Sequence, residues 1–338
     1  MSLEIIGISV LWLFLFGYVI VGSIDYGAGF FNAYSILTGK QHVVSKIIQR
    51  YLSPVWEVTN VFFVFFFVGI VGFFPESAYY FGTILLVPAS IAIILLAIRG
   101  SYYAFEAYGK KGHRRYAFMY GASGILIPAS LSIVLTISEG GFVSMETGNP
   151  TLNYSALFTS PLTWSIVVLS IISVLYISAV FLTWYANETG DKKATSLMRK
   201  YALIWTIPLI VAASGIIMEL RGHNADHFTR ILDLWWMFAI SFLFWLGTVW
   251  LLWKKRNYAM ALWLLIGQFV FAFFGYGIAH YPYILYPYVT IYDGFTNDAM
   301  AVSLIIAFVL GMMLLIPSLY LLLRLFLFDK KYIKGKRE

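Results

Sequence analysis

Nine separate runs of roughly twenty apolar residues constrain this chain more than any other feature. A helix that crosses the hydrocarbon core of a bilayer needs about 20 such residues, and 61% of the chain is hydrophobic while only 12% is charged. The sequence therefore predicts an all-α polytopic membrane protein with nine transmembrane helices. The predicted spans are residues 5–34, 54–74, 80–105, 117–138, 162–186, 202–220, 233–253, 258–281 and 298–328.

The basic residues between these runs predict the orientation of the chain. If consecutive spans alternate in direction, 20 of the 23 Lys and Arg residues fall on one side; only Arg221 and Arg230 fall on the other, and Arg99 lies within a span. An excess of Lys and Arg marks the cytoplasmic side, which places the N-terminus outside and the C-terminus in the cytoplasm. The same residues give the chain its net charge of +7. On this side of the membrane they are expected to contact anionic lipid headgroups, so no nucleic-acid partner is expected.

Among the ionisable residues inside predicted spans, three stand out, namely Asp25, Glu57 and Arg99. A charge at the bilayer centre costs roughly 2.5–3.5 kcal/mol on insertion scales, so such residues are functional candidates. At 1.5 Å per helical residue, Asp25 lies roughly 13 Å, Arg99 about 9 Å and Glu57 about 5 Å from the cytoplasmic ends of their spans. All three belong to the cytoplasmic third of the membrane, where they could meet and resemble a proton entry route.

Each of these residues also has a structural explanation. Glu57 follows Ser53-Pro54, a typical helix start, and the helix dipole favours a carboxylate in the first turn. Arg99 could extend its head group to the cytoplasmic lipid headgroups. Asp25 could be a structural partner for Arg99 or for the backbone nearby. A joint structural and proton-conducting role would satisfy both interpretations.

Two further features lie close to this cluster in the sequence. Gly27 and Gly29 follow Asp25, and small residues of this kind allow transmembrane helices to approach closely. Glu106 ends the third span, where a solvated charge is the simplest interpretation.

Metal and haem sites are not expected in this chain. It has no cysteine, which excludes thiolate metal sites and disulfides. His223 and His227 are four residues apart and would form a metal pair if helical, but no third ligand follows at a recognisable spacing. We therefore expect a surface loop with local ion pairs there. His42 and His113 fall in cytoplasmic loops, and His280 alone, at the end of a span, is a poor basis for a haem site.

Four motifs, in order along the chain, resemble subunit II of the cytochrome bd-type quinol oxidases. They are Gly22-Ser-Ile-Asp-Tyr-Gly-Ala-Gly29, Pro54-Val-Trp-Glu-Val-Thr-Asn60, Arg99-Gly with Phe105-Glu106, and Tyr281-Pro-Tyr283 with Leu285-Tyr-Pro-Tyr-Val-Thr-Ile-Tyr-Asp-Gly294. The resemblance extends over nearly the whole chain. It is greatest to the bacillar form, for which menaquinol is the implied electron donor.

The resemblance implies a fold of two four-helix bundles and one peripheral helix. Residues 1–138 would form the first bundle, 139–161 an extracellular linker, 162–281 the second bundle, and 282–338 a loop, the peripheral last helix and a basic cytoplasmic tail. In this family a partner, subunit I, carries two b-type haems, haem d and the quinol site, while subunit II carries none of the haems. A small single-helix subunit is a further possible partner.

The resemblance also implies roles for individual residues. The family's acidic and arginine positions that help to bring cytoplasmic protons to the haems match Asp25, Glu57 and Arg99, and Glu106 belongs to the third motif. This chain departs from the family in having Gly22-Ser23 before the aspartate, and Glu57 where aspartate is common.

The expected function is that of a haem-free subunit of a menaquinol:O2 oxidoreductase in the bacterial plasma membrane, scaffolding subunit I and supplying protons for the reduction of O2 to water. A proton-coupled secondary transporter is the alternative, since a buried cluster of acids and an arginine could also couple a solute to protons. A purely structural subunit is a third possibility.

Overall fold

The computed structural model describes residues 2–39, 48, 59–108, 114–144 and 150–324, with the side chains of 103–108 and 322–323 outside that description. The described part is helical apart from short two-stranded sheets in two loops. In chain order the helices are α1 (Leu3–Leu37), α2 (Thr59–Phe73 in the described part), α3 (Pro75–Ile84), α4 (Leu86–Tyr108), α5 (Arg114–Ser138), α6 (Tyr154–Thr159), α7 (Pro161–Glu188), α8 (Lys192–His223), α9 (Ala225–Asp233), α10 (Trp235–Lys254), α11 (Tyr258–His280) and α12 (Asp298–Leu323).

Seven helices of the described part are long and apolar enough to cross a membrane, namely α1, α5, α7, α8, α10, α11 and α12. The pair α2 and α3 passes the same criteria together and would be an eighth span, bent by 118° at its break. The apolar part of α4, Leu86–Tyr102, is shorter than the other spans. A polytopic membrane protein is therefore confirmed. The count of nine spans, the division into two bundles and the orientation stay predictions.

The bend between α2 and α3 differs from the sequence prediction. We expected a span at 54–74, a loop, and a third span at 80–105, but residues 75–84 form a helix of their own and α4 begins after Leu85. Pro75 is the first residue of α3. Proline lacks the backbone N–H that would continue α2, and its fixed φ suits the first turn of a new helix. The chain therefore changes direction at Phe74, which is fully buried.

Asparagine or aspartate side chains fix the beginnings of five helices. Each accepts a hydrogen bond from the backbone N–H three residues further on, at 2.9–3.2 Å. This satisfies one of the backbone donors that a helix start leaves without a partner. The capping residues are Asn153 (α6), Asp191 (α8), Asn224 (α9), Asn257 (α11) and Asn297 (α12).

Helix α7 lies at the centre of the described fold and α12 at its edge. In the most apolar 18-residue window of α7, 61% of the residues are buried, compared with 11% in α12. The largest hydrophobic cluster joins α7 to α1, α8, α10 and α11, with Tyr176 and Tyr185 of α7 fully buried within it. Because lipid provides no hydrophobic driving force between membrane helices, close van der Waals packing against α7 is what holds these helices together.

Two loops cover one end of the helices. β1 (Val143–Ser144) pairs with β2 (Thr151–Leu152), and β3 (Tyr283–Leu285) pairs with β4 (Val289–Thr290), both antiparallel. A small cluster joins the loops to α3 and α5 through Ile84, Ile137, Phe142, Leu157 and Leu285, among others.

Candidate functional site

Asp25 of α1 and Arg99 of α4 form a buried ion pair. Arg99 Nε donates to Asp25 Oδ2 at 2.9 Å, and the two side chains are 0% and 1% exposed. The prediction that these residues meet is confirmed. The alternative in which Arg99 reaches the lipid headgroups is wrong, because its side chain is enclosed by α1 and α5. Two opposite charges buried together offset much of the cost that either would have alone.

The guanidinium of Arg99 is also held by main-chain oxygens. Nη2 donates to the backbone carbonyl of Asp25 at 2.6 Å, and Nη1 donates to that of Tyr120 on α5 at 3.0 Å. Its Cζ lies 3.9 Å from the centre of the Tyr120 ring, a cation–π contact. Arginine presents its donors in a planar fork, so a single side chain can join α1, α4 and α5 in this way.

Tyr120 completes the surroundings of the carboxylate. Its hydroxyl donates to Asp25 Oδ1 at 3.1 Å, so the two carboxylate oxygens have different partners. The opposite face of the Tyr120 ring lies against Tyr102, with the ring centres 4.2 Å apart and nearly parallel. The hydroxyl is therefore positioned by a ring that packs on both sides.

The glycines that follow Asp25 allow α1 to lie close to its neighbouring helices. A Cβ atom at Gly29 would lie 2.7 Å from Tyr120 Cε1 and 2.9 Å from Arg99 Nη1. A Cβ at Gly27 would lie 2.3 Å from Ser178 Cβ on α7. All three distances are shorter than real Cβ atoms show. The prediction that these glycines mark close contacts is confirmed.

For the other two predicted proton-pathway residues, the side chains lie outside the described part of the structure. Glu57 lies outside the described residues, as does the rest of the motif from Pro54 to Val58. Glu106 belongs to α4 by its backbone, but its side chain is outside the description. The structure therefore locates Asp25 and Arg99, while the positions of the other two carboxylates relative to them stay predictions.

A second buried polar cluster was missed by the sequence interpretation, and Glu139 is its centre. Glu139 follows the last residue of α5 and is 1% exposed. Its carboxylate accepts a hydrogen bond from His227 Nδ1, which lies 2.9 Å from Oε2, and one from Asn224 Nδ2 at 3.1 Å. The Tyr276 hydroxyl donates to Oε1, and His280 Nδ1 lies 3.7 Å from that oxygen.

Burial and the neighbouring polar groups have opposite effects on the pKa of the Glu139 carboxyl group. Burial would raise the pKa of its carboxyl group, but the hydrogen bond from His227, the proximity of His280 and the hydroxyl of Tyr276 hold that pKa below its usual value. The carboxylate is therefore ionised at neutral pH. No local pattern in the sequence points to this cluster, because the partners of Glu139 lie at least 85 residues further along the chain.

His223 and His227, which the sequence left as a possible but not expected metal pair, do not pair in the structure. His223 ends α8, where its Nε2 contacts the backbone carbonyl of Gly140 at 2.9 Å, whereas His227 belongs to α9 and points to Glu139. The break between α8 and α9, at the capping residue Asn224, separates the two histidines. The expectation of a surface loop is also wrong at His227, because α9 is helical and His227 is 3% exposed.

Comparison with known proteins identifies the family. Residues 3–326 match the family model described as cytochrome bd terminal oxidase subunit II. The chain belongs to this family. A curated relative from Bacillus subtilis (strain 168), the putative cytochrome bd menaquinol oxidase subunit II, is 33% identical over an alignment of 339 residues that covers 98% of this chain and 97% of the relative.

A solved structure agrees with this membership. The structure of the bd oxidase from Geobacillus thermodenitrificans contains a chain 63% identical to this one, with a TM-score of 0.86, covering 98% of this chain and 100% of that chain. The resemblance predicted from four motifs is therefore confirmed. Together with its membrane-spanning helices, it makes the chain a multi-pass integral protein of the bacterial plasma membrane and a subunit of a cytochrome bd oxidase complex.

Proposed function

We propose that this chain is the haem-free subunit II of a terminal menaquinol:O2 oxidoreductase, where it scaffolds subunit I and helps to deliver cytoplasmic protons. The buried pair Asp25–Arg99 carries the proposal, because an ionisable pair in a membrane interior marks a proton or substrate path more often than a structural contact. The menaquinol donor is suggested by the name of the Bacillus relative. Family membership favours this function over a proton-coupled transporter.

The partners of Arg99 suit a residue that stays in place while Asp25 changes its charge. Two of its donors bind backbone carbonyls, which do not titrate. When Asp25 takes up a proton and its bond to Arg99 Nε weakens, these two bonds and the Tyr120 ring still hold the guanidinium. Arg99 therefore stays beside Asp25 both before and after the transfer of a proton.

The direction of transfer comes from the basic loops and the family motifs. The excess of Lys and Arg marks the cytoplasmic side, and the sequence predicts that Glu57 and Glu106 lie toward that side of Asp25. We assign both as proton carriers between the cytoplasm and Asp25, and Arg99 as the group that tunes their charge. The acceptor is the haem chemistry of subunit I, where four electrons from quinol and four protons convert one O2 into two molecules of water.

The histidines of the described residues do not fit a haem in this chain. Both His227 and His280 direct Nδ1 at Glu139, and the Nε2 atoms of both are buried in protein. Their ring centres are 5.1 Å apart, which leaves no room for a porphyrin between them. We therefore place the b-type haems and haem d in subunit I. Membrane lipid and a small single-helix subunit are the further partners we propose.

The proposed function is tested by measuring both the assembly of the complex and its rate of O2 consumption in variants of this chain. In the purified complex, Asp25→Asn removes the titratable group but leaves Arg99 as a buried charge without its counter-ion, which costs about 3–5 kcal/mol and endangers assembly. The double variant D25N/R99Q leaves no unpaired buried charge, although it also loses the bonds of Arg99 to two backbone carbonyls. Asp191→Asn is the matched control, because asparagine caps a helix as well as aspartate does.

We expect assembled D25N/R99Q complex, compared at equal haem content with the unmodified complex, to consume O2 at least about tenfold more slowly, as loss of a proton-transfer group usually costs that or more. D191N should consume O2 at the normal rate. Normal turnover in an assembled D25N/R99Q complex would leave scaffolding as the only role of the pair and would refute proton delivery.

A further inference from the structure

We propose that Glu139, His227 and His280 form a binding site for a divalent cation of the Zn²⁺ class. Each residue offers one ligand atom, and the three atoms lie within 4.8 Å of one another. The site is separate from the Asp25–Arg99 pair, and the proposal does not depend on proton delivery. It replaces the sequence-based expectation of no metal site, which considered only the His223–His227 spacing.

The ligand set is one that zinc prefers. Two imidazole nitrogens and one carboxylate make a His₂Glu set, in which a fourth position stays open for water or another ligand. With zinc–ligand bonds of about 2.0–2.1 Å, neighbouring ligand atoms of a tetrahedral site lie about 3.3–3.5 Å apart. Glu139 lies 2.9 Å from the Nδ1 of His227 and 3.7 Å from that of His280, on either side of this spacing, so side-chain shifts of about 1 Å suffice.

The position of His280 is the observation that favours a ligand over a simple hydrogen-bonded cluster. The two oxygens of Glu139 already accept bonds from His227, Asn224 and Tyr276. His280 is a fourth polar group, aimed at the same carboxylate from a distance too long for a hydrogen bond. A role as a metal ligand explains this placement, because a cation between the two groups would bond to both.

Three separate elements carry the ligands, and their neighbours orient them. Glu139 follows α5, His227 lies in the first turn of α9, and His280 ends α11. Asn224 accepts from the backbone N–H of His227 and donates to Glu139, so it fixes both. Tyr276, one turn before His280, also donates to the carboxylate. Partners of this kind orient metal ligands in known sites.

Of the three ligands, His280 is the nearest to the protein surface. Its side chain is 11% exposed, whereas those of Glu139 and His227 are 0% and 2% exposed. An open pocket of about 370 Å³ is lined by Ile278, Ala279 and Tyr281, on either side of His280 along the chain, together with residues of α9. A cation arriving from solvent would therefore meet His280 first and the carboxylate next.

Zinc binding by the purified complex tests the proposal. The complex is stripped with a chelator and titrated with Zn²⁺ alone in competition with a chromophoric chelator, and bound zinc is counted by elemental analysis. His280→Gln is the main variant, because His280 is the least buried ligand and makes no hydrogen bond to Glu139. His223→Gln is the matched control, since His223 lies at the same end of the fold but contacts the Gly140 carbonyl.

We expect the unmodified complex and H223Q to hold one more zinc ion than H280Q, in which affinity at this site falls by about a hundredfold or more. Equal zinc content and affinity in the unmodified complex and H280Q would overturn the proposal. If H280Q fails to assemble, anomalous scattering at the zinc edge from the unmodified complex decides. A zinc peak between Glu139, His227 and His280 supports the site, and its absence after equilibration with Zn²⁺ overturns it.

Discussion

Arg99 binds both the side chain and the main chain of Asp25. Its Nε donates to the carboxylate at 2.9 Å and its Nη2 to the backbone carbonyl of the same residue at 2.6 Å. These two bonds together fix where the Asp25 carboxylate points. A third bond, from Nη1 to the Tyr120 carbonyl, extends the contact to α5, so three helices depend on one guanidinium.

Arg99→Lys should damage this arrangement although it keeps the positive charge. A lysine ammonium cannot donate to three acceptors in the plane of a fork, and it loses the stacking on Tyr120. The loss of two hydrogen bonds from a charged group should lower the free energy of unfolding by about 3–6 kcal/mol. The complex should therefore unfold at a lower temperature. Arg221→Lys, at an exposed position, is the control. Equal unfolding temperatures for the two variants would mean that charge alone matters at Arg99.

Gly124→Ala tests the close contact between α1 and α5. A Cβ at this position would lie 2.3 Å from the backbone carbonyl oxygen of Tyr26, which cannot rotate away. The helices must separate, and overpacking of this kind costs about 1–3 kcal/mol. The same shift moves Tyr120 away from Asp25, so O2 consumption should fall as well.

Gly82→Ala is the matched control for this variant, because an added Cβ meets nothing within 4 Å there. Thermal unfolding of the complex and its O2 consumption are the measurements. Stability and turnover unchanged from those of G82A would show that α5 does not need this close approach.

Asn224→Ala should cost more stability than Asn153→Ala. Both asparagines cap a helix through their side-chain oxygen, at 3.1 and 3.0 Å, and loss of a cap costs about 1 kcal/mol. Asn224 also donates to the buried carboxylate of Glu139, a bond to a charged group worth about 1.5–3 kcal/mol. Thermal unfolding should therefore separate the two variants by about 2 kcal/mol. Equal effects would mean that Asn224 acts only as a cap.

The apolar runs predicted most long helices with small errors at their ends. The spans predicted at 162–186 and 258–281 correspond to Pro161–Glu188 and Tyr258–His280. Hydrophobicity alone determines such helices, because lipid leaves the backbone no other partners. The predicted span end at residue 74 agrees with the break, but helix α3 was missed because its start, Pro75-Glu76-Ser77, was assigned to a loop, although Pro75 was a visible signal of a new helix.

The meeting of Asp25 and Arg99 was predictable, whereas the cluster around Glu139 was not. Counting residues from the span ends placed Asp25 and Arg99 at one depth, and burial of charge required a partner. Glu139 was assigned to the start of a polar loop, and its partners come from α9 and α11. Only the packing of these helices brings the carboxylate to His227 and His280, and a single sequence carries no local sign of such packing.

Proton uptake during a single turnover tests the central claim most directly. The fully reduced complex is mixed with O2 in the presence of a pH indicator dye, and proton uptake is compared with haem oxidation in the unmodified complex, D191N and D25N/R99Q. We expect uptake in D25N/R99Q to be slower by about tenfold or more, while D191N matches the unmodified complex. Proton uptake at the unmodified rate in an assembled D25N/R99Q complex would contradict a path through Asp25.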